Sequence, residues 1–373
     1  MAGIYIHIPF CKSRCIYCDF FSSTSMRLKT HYIDAVCQEI KLQRDYLQTP
    51  VKTIYFGGGT PSQLTGADLS KMKDALFDEN ELDLKEVTLE VNPDDIHPDY
   101  LESINTFLQN RFSIGVQSFD DQELLFLNRR HNAKTAIRAV NECYAAGYRN
   151  ISIDLIYGLP GQQLKTLRKT LRQALDLPVT HISAYHLTYE KGTKLHRLLQ
   201  SGQITPVDDE QSILLYEEII DLLENAGFAQ YEISNFAAEG FQSRHNSAYW
   251  NGNHYLGIGA SAHSYNGKTR QWNVSSVEAY IQAINRGEIP AEVEKIDPRT
   301  AYNDYIITRL RTRQGIDLTE IAELFDEMAT NYCMMQIKKH LSNGLMEEKS
   351  PRFSLTRKGI FVADCIMRDL LLI

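Results

Sequence analysis

The chain has 373 residues, 43% hydrophobic and 23% charged, with a formal net charge of -8 at neutral pH and a pI near 5.8. Such a length holds one large domain plus a smaller one, and the acidic balance excludes general nucleic-acid binding, which needs a basic footprint. No apolar run approaches the ~20 residues of a spanning helix and the amino terminus shows no basic-then-apolar signal segment, so the expected location is the cytoplasm, where thiols stay reduced.

The chain opens on an alternating segment, Gly3 to Phe10, with the period of a strand. Cys11-Lys12-Ser13-Arg14-Cys15-Ile16-Tyr17-Cys18 follows directly, placing three of the seven cysteines within eight residues. A thiolate cluster at the carboxyl end of a strand can hold a metal centre. The C-x3-C-x2-C spacing supplies three ligands where a four-iron cluster has four irons, which leaves one iron open to something other than protein. Two alternatives use the same residues: a structural zinc site with His7 or a distant fourth ligand, and a redox-active Cys-x2-Cys pair. No second cysteine pair exists to build a zinc ribbon; Cys37, Cys143, Cys333 and Cys365 are isolated and read as ordinary buried thiols.

A helical pattern runs from about Lys29 to Tyr46. Short apolar runs then recur at Lys52 to Phe56, Glu86 to Val91, Arg111 to Val116, Asn150 to Tyr157 and His181 to Leu187, each leading through a polar turn into a helix-like segment. With the first strand this makes six alternations, which imply parallel strands. Six units fall short of the eight of a closed barrel, so the expected fold is α/β, a partial, open parallel β/α barrel. Working residues of such a sheet sit at the carboxyl ends of its strands.

Gly57-Gly58-Gly59-Thr60-Pro61 ends the second strand. Three successive glycines suit a place where backbone must come close to a ligand or take positive φ; no Gly-Lys-Ser/Thr follows, so this is not a phosphate loop. Glu90 ends the third strand, Gln117 the fourth, and Asp154 lies inside the fifth. Polar groups in apolar strands are costly unless hydrogen-bonded or ligand-bound, and three on successive strands fit the lining of one pocket able to accept ribose hydroxyls. Arg129 has the donors to clamp a carboxylate in bidentate fashion.

Beyond Leu187 the alternation becomes irregular, with a helix around Asp208 to Ala226 and a short run from Tyr231 to Phe236. From Asp297 helices follow without intervening strands, over Arg299 to Thr312, Leu318 to Phe325 and Met328 to Asn343, then a hairpin turning at Ser350-Pro351 and a last helix from Arg357. This is the outline of a winged helix. Its candidate recognition helix offers only Lys338 and Lys339, so a lid or interaction domain is expected rather than a DNA reader. The expected division is a barrel over 1–236, a connecting segment over 237–296 and a winged-helix-like domain over 297–373.

Together, Gly3 to Cys11, Cys18-Asp19-Phe20, Gly57 to Ser62, Gly115 to Ser118 and Asp154 to Pro160 resemble one subgroup of the radical S-adenosylmethionine (AdoMet) superfamily. That subgroup comprises the oxygen-independent coproporphyrinogen III oxidases and the related HemW-type haem chaperones. The resemblance implies a 4Fe-4S cluster on Cys11, Cys15 and Cys18, with AdoMet chelating the open iron. By it, Tyr5, Tyr17, Gly58, Gly59, Thr60, Glu90, Gln117, Arg129 and Asp154 fall where the family contacts AdoMet.

Within the subgroup the decarboxylating oxidases carry a further cysteine two residues past the last ligand, where this chain has Phe20, and a long amino-terminal extension before the motif. His245-Asn246-Ser247-Ala248-Tyr249-Trp250 instead matches the H-N-x-x-Y-W motif of the HemW type. Imidazole is a common axial ligand of haem iron, and Tyr249 and Trp250 offer flat apolar surface, so the resemblance makes His245 a candidate haem-binding residue. His254 and His263, in the following small-residue segment, stay unassigned. The implied function is haem binding and delivery to respiratory haem proteins, with room for peripheral membrane association. The alternative is oxidative decarboxylation of coproporphyrinogen III, in which an electron donor drives AdoMet cleavage to a 5′-deoxyadenosyl radical. Whether the chain is an enzyme is left open at this point.

Overall fold

A computed structural model of the chain describes residues 1–77, 83–105 and 107–372. Six strands, β1 (Ala2–Ile8), β2 (Val51–Gly58), β3 (Glu86–Val91), β4 (Arg111–Gln117), β5 (Asn150–Tyr157) and β6 (His181–His186), pair in parallel in chain order. The alternation of β1 explains its two faces. Ile4, Ile6 and Ile8 are buried with the helix layer, and Tyr5 and His7 project to the opposite, inner side. Crossover helices such as Lys29–Leu42, Ala133–Ala145 and Leu164–Leu175 pack outside. Their starts are set locally, as where the Asn132 side chain accepts from the Thr135 amide.

The sheet does not end with these six. The expected run from Tyr231 to Phe236 is a hairpin, β7 (Ala229–Glu232) and β8 (Asn235–Ala237), added antiparallel to β6. At the other edge β9 (Tyr255–Ile258) pairs in parallel with β1. Strands β10 (His263–Tyr265), β11 (Thr269–Asn273) and β12 (Ala291–Lys295) then continue antiparallel. The result is one open, 12-stranded sheet in the order β12-β11-β10-β9-β1-β2-β3-β4-β5-β6-β8-β7. Residues 255–295, expected to be a connection, therefore carry four strands of the main sheet.

Helices Pro298–Leu310, Leu318–Leu324 and Glu327–Ser342 and a small sheet, β13 (Ile316–Asp317), β14 (Met346–Lys349) and β15 (Arg352–Leu355), enclose a second core around Tyr302, Ile306, Ile337 and Phe353. The last helical stretch is broken into Arg357–Ile360 and Ala363–Leu370. Phe361, at the break, turns edge-on to Tyr216 of the barrel's helix layer. No helix among the described residues is long and apolar enough to cross a membrane.

Candidate metal centre and ligand pocket

The cysteine loop leaves the carboxyl end of β1 and is pinned where it starts and ends. Cys11 donates its amide to the Ser23 carbonyl at 3.0 Å, and Ser23 donates to that of Pro9 at 2.7 Å. Ile16 sits in a satellite core with Leu127, Ile156 and Leu195, which holds the loop across the carboxyl ends of the sheet. Asn128 donates its side-chain amide to the Arg14 carbonyl at 2.8 Å. All seven cysteines are unpaired. Among the described residues no three cysteine, histidine or acidic side chains converge as a single metal ion requires, the arrangement a zinc site would need.

Hydrogen-bond donors reach the sulfurs. The Thr60 hydroxyl donates to Cys11 Sγ at 3.3 Å, and Arg129 Nη1 donates to Cys15 Sγ at 3.2 Å. A guanidinium beside a thiol is the setting in which bound thiolate is stabilised and a cluster tuned. Burial pushes the Cys18 thiol up to about 11 and raises Cys11 as well, so these groups stay protonated until a metal takes the proton's place. Three thiols on one loop, with a cation and a hydroxyl directed at their sulfurs, fit a 4Fe-4S cluster held by three ligands.

The neighbouring candidates have specific surroundings. Arg129 spends its fork inside the protein. Besides Cys15, its Nη2 donates to Asn92 Oδ1 at 2.7 Å and to the Gly115 carbonyl at 2.6 Å, and only Nε is buried without a partner. An open bidentate clamp is thus not what the structure displays, since three of the five N–H donors are already engaged. A bulge at the end of β4 turns the Gly115 carbonyl to that guanidinium and leaves Gln117 at φ 68°, a value few non-glycine residues adopt. Thr60 meets Cys11 rather than open space. A side chain at Gly58, φ 107°, would meet the His7 ring at 2.5 Å, and one at Gly59 would meet the Pro9 backbone at 2.7 Å. The glycine run therefore lets β2 close on the segment leading to the cysteines. Tyr17 is half-buried against the same satellite core.

Glu90 accepts from the Tyr55 hydroxyl at 2.7 Å and from the Gly58 amide at 3.3 Å. Burial, reinforced by the nearby Asp154 charge, pushes its carboxyl up to about 7. Asp154 accepts from Ser113 at 3.4 Å and is likewise raised by burial. Arg111 was not foreseen. It is wholly buried with Nε and Nη1 unpartnered, and its charge acts on Glu90, Asp154, His181 and His245. A charged residue opening an otherwise apolar strand, Arg111-Phe112-Ser113-Ile114, is the signal that marks it.

Beside the cysteine loop lies a cavity of about 930 Å³, at the upper end of the roughly 300–1,000 Å³ of ligand sites. Tyr5, Phe21, Tyr249, Trp250 and Tyr265 wall it, and the helix Pro298–Leu310 closes one side with Asp304, Tyr305 and Arg309. Phe20 stands at its edge, 62% exposed. Tyr5 stacks on Tyr55 and donates to, or accepts from, His7 Nδ1 at 3.1 Å.

His245 is elsewhere. Its ring stacks on Tyr55, its Nδ1 lies 2.8 Å from Thr53 Oγ1, and its Nε2 lies 2.8 Å from the Tyr249 hydroxyl. With both nitrogens engaged and burial lowering it to about 3, His245 fixes Tyr249 and does not itself line the cavity. The helix Arg244–Trp250 is anchored at its start by Glu86, which accepts from the amides of Arg244 at 2.9 Å and His245 at 3.0 Å. Glu86 and Thr53 went unrecognised in the sequence, since nothing in it links either to position 245.

Comparison with known proteins places this geometry in context. Residues 5–174 match the family model of the Radical SAM superfamily, and residues 296–362 match that of the HemN C-terminal domain. The chain is 35% identical over 376 residues to the heme chaperone HemW of Mycobacterium tuberculosis, covering 99% of this chain and 94% of that protein. It is 35% identical over 364 residues to HemW of Bacillus subtilis, covering 96% of each. Among solved structures it is similar to the coproporphyrinogen III oxidase HemN from Escherichia coli, with a TM-score of 0.84 over 99% of this chain and 89% of that one. At 22% identity that likeness speaks for the fold alone.

Proposed function

This chain belongs to the HemW family of radical SAM proteins, and from that premise we propose that it is a cytoplasmic haem chaperone that binds haem and passes it to haem proteins, those of respiration in particular. Its cofactors are a 4Fe-4S cluster and AdoMet. The observation that carries the reading is the aromatic-walled cavity of about 930 Å³ set against the cysteine loop and beneath the carboxyl-terminal unit.

Cys11, Cys15 and Cys18 would hold the cluster, with Arg129 and Thr60 stabilising the charge on two of the sulfurs. When bound and reduced by an electron donor, the cluster supplies the electron that cleaves the AdoMet sulfonium. Around it the chain's own groups position the ligand. Glu90 and Asp154 offer carboxylate acceptors on the inner face, and Gln117 and the backbone of Gly58 and Gly59 lie at the same carboxyl ends of the strands. Tyr249 and Trp250, held by His245 and Glu86, present ring faces to a planar, apolar guest.

Anaerobically reconstituted protein tests this directly when it is titrated with haem and, in parallel, supplied with coproporphyrinogen III. The reading predicts saturable uptake of one equivalent of haem and no protoporphyrinogen. Turnover of coproporphyrinogen without saturable haem uptake would overturn it.

A further inference from the structure

We propose that His263, and not the motif histidine His245, is the side chain that ligates the haem iron; this rests on the haem-binding reading above. Four histidines stand in or near the cavity, and His254, packed edge-on to Tyr265, does not itself line it. His7 is committed, with Nδ1 3.1 Å from the Tyr5 hydroxyl and Nε2 donating to the Phe21 carbonyl at 2.9 Å. His245 is committed to Thr53 and Tyr249. His263 lines the cavity, is exposed, and carries no hydrogen bond on either ring nitrogen among the described residues.

Its placement is built into the sheet. Tyr5 pairs with Gly257 across β1 and β9, and Tyr265 pairs with Tyr255 across β9 and β10, which sets His263 opposite Gly257. The missing side chain at Gly257 is what lets β10 approach; a Cβ there would meet the His263 carbonyl at 2.1 Å. Across the next pair Trp272 stacks beside the imidazole, centroids 6.1 Å apart and planes 29° apart, and so steadies the ring. Partial desolvation on the side packed toward the sheet, helped by the Arg270 charge, lowers its basicity, which favours the neutral imidazole that metals bind. The competing oxygen ligands, Tyr255 and Tyr265, are driven the other way, held as phenols by burial. Arg270, also on the cavity wall, is ion-paired with Asp304 and Glu294.

The test is anaerobic haem titration of the full chain, cluster and AdoMet loaded, followed by visible absorption and electron paramagnetic resonance. His263→Ala is compared with wild type and with His245→Phe. The expected result for His263→Ala is loss of the histidine-ligated signature, at least about tenfold weaker binding, and return of the signature on adding free imidazole. Cluster absorbance stays unchanged in the same sample, because His263 touches none of the three thiols. In His245→Phe the ligation signature persists even where affinity falls. If wild type takes up no haem, the haem-binding reading itself fails; if wild type binds and His263→Ala gives an unaltered spectrum, only the ligand assignment is overturned.

Discussion

At the scale of single residues, the chemistry depends on which groups are left unspent by the fold. Cys15 receives a hydrogen bond from the Arg129 guanidinium, so as a cluster ligand it would also be the anchor for Arg129. Cys15→Ser is expected to abolish the cluster's visible absorbance after anaerobic reconstitution; full iron and sulfide retention would contradict the assignment. Glu90 offers a pH test. Its carboxyl is raised to about 7 by burial, so it is ionised above that value and takes a proton as pH falls through it. An ionised carboxylate accepts hydroxyl protons more strongly than an acid does. AdoMet affinity should therefore drop by up to about tenfold between roughly pH 8 and pH 6, and isothermal titration of Glu90→Gln should show that dependence flattened. The cysteines, Glu90 and Asp154 stand out in the sequence as candidates because a reactive or charged residue in a strand or a tight loop is costly without a use. The occupied forks of Arg129 and His245 were not, because their partners, Asn92, Gly115 and Thr53, are distant in sequence and meet only across the sheet.

At the scale of elements, two buried carboxylates organise the walls of the cavity. Glu86 accepts from the first amides of the helix Arg244–Trp250, and Glu86→Ala would leave those donors in a dry setting, costing about 1–3 kcal/mol. Denaturant unfolding should register that loss. Glu39, in the helix Lys29–Leu42, accepts from the Gly259 amide at 2.8 Å, Asn273 at 2.7 Å and the Tyr280 hydroxyl at 2.5 Å. It thereby fastens the turn between β9 and β10 to the helix layer. Glu39→Ala should cost roughly 3 kcal/mol, the upper end for stranding a buried group, and a melting temperature unchanged from wild type would contradict that role. The six parallel strands could be seen in the sequence because each is an apolar run followed by a helical period. Strands β9 to β12 were hidden because they are three to five residues long, too short to establish a period of two. The split of the last helix was equally invisible, since Phe361 turns away to reach Tyr216.

At the scale of the whole molecule, the cavity belongs to both halves of the chain. Barrel residues such as Tyr5 and Phe21 form one wall, and Asp304, Tyr305 and Arg309 of the carboxyl-terminal unit form another. Haem affinity should therefore depend on a part of the chain that holds none of the cluster ligands. A chain ending at Ile296 is expected to assemble the cluster and to bind haem at least about tenfold more weakly; equal affinity would place the guest elsewhere. The most direct check of the account is transfer. Cluster-loaded protein carrying one equivalent of haem is mixed with an apo respiratory haem protein, and the Soret band is followed as it moves. A chaperone hands its haem over faster than free haem is taken up at the same concentration, whereas haem that stays on the chain, or leaves no faster than from solution, would contradict the account.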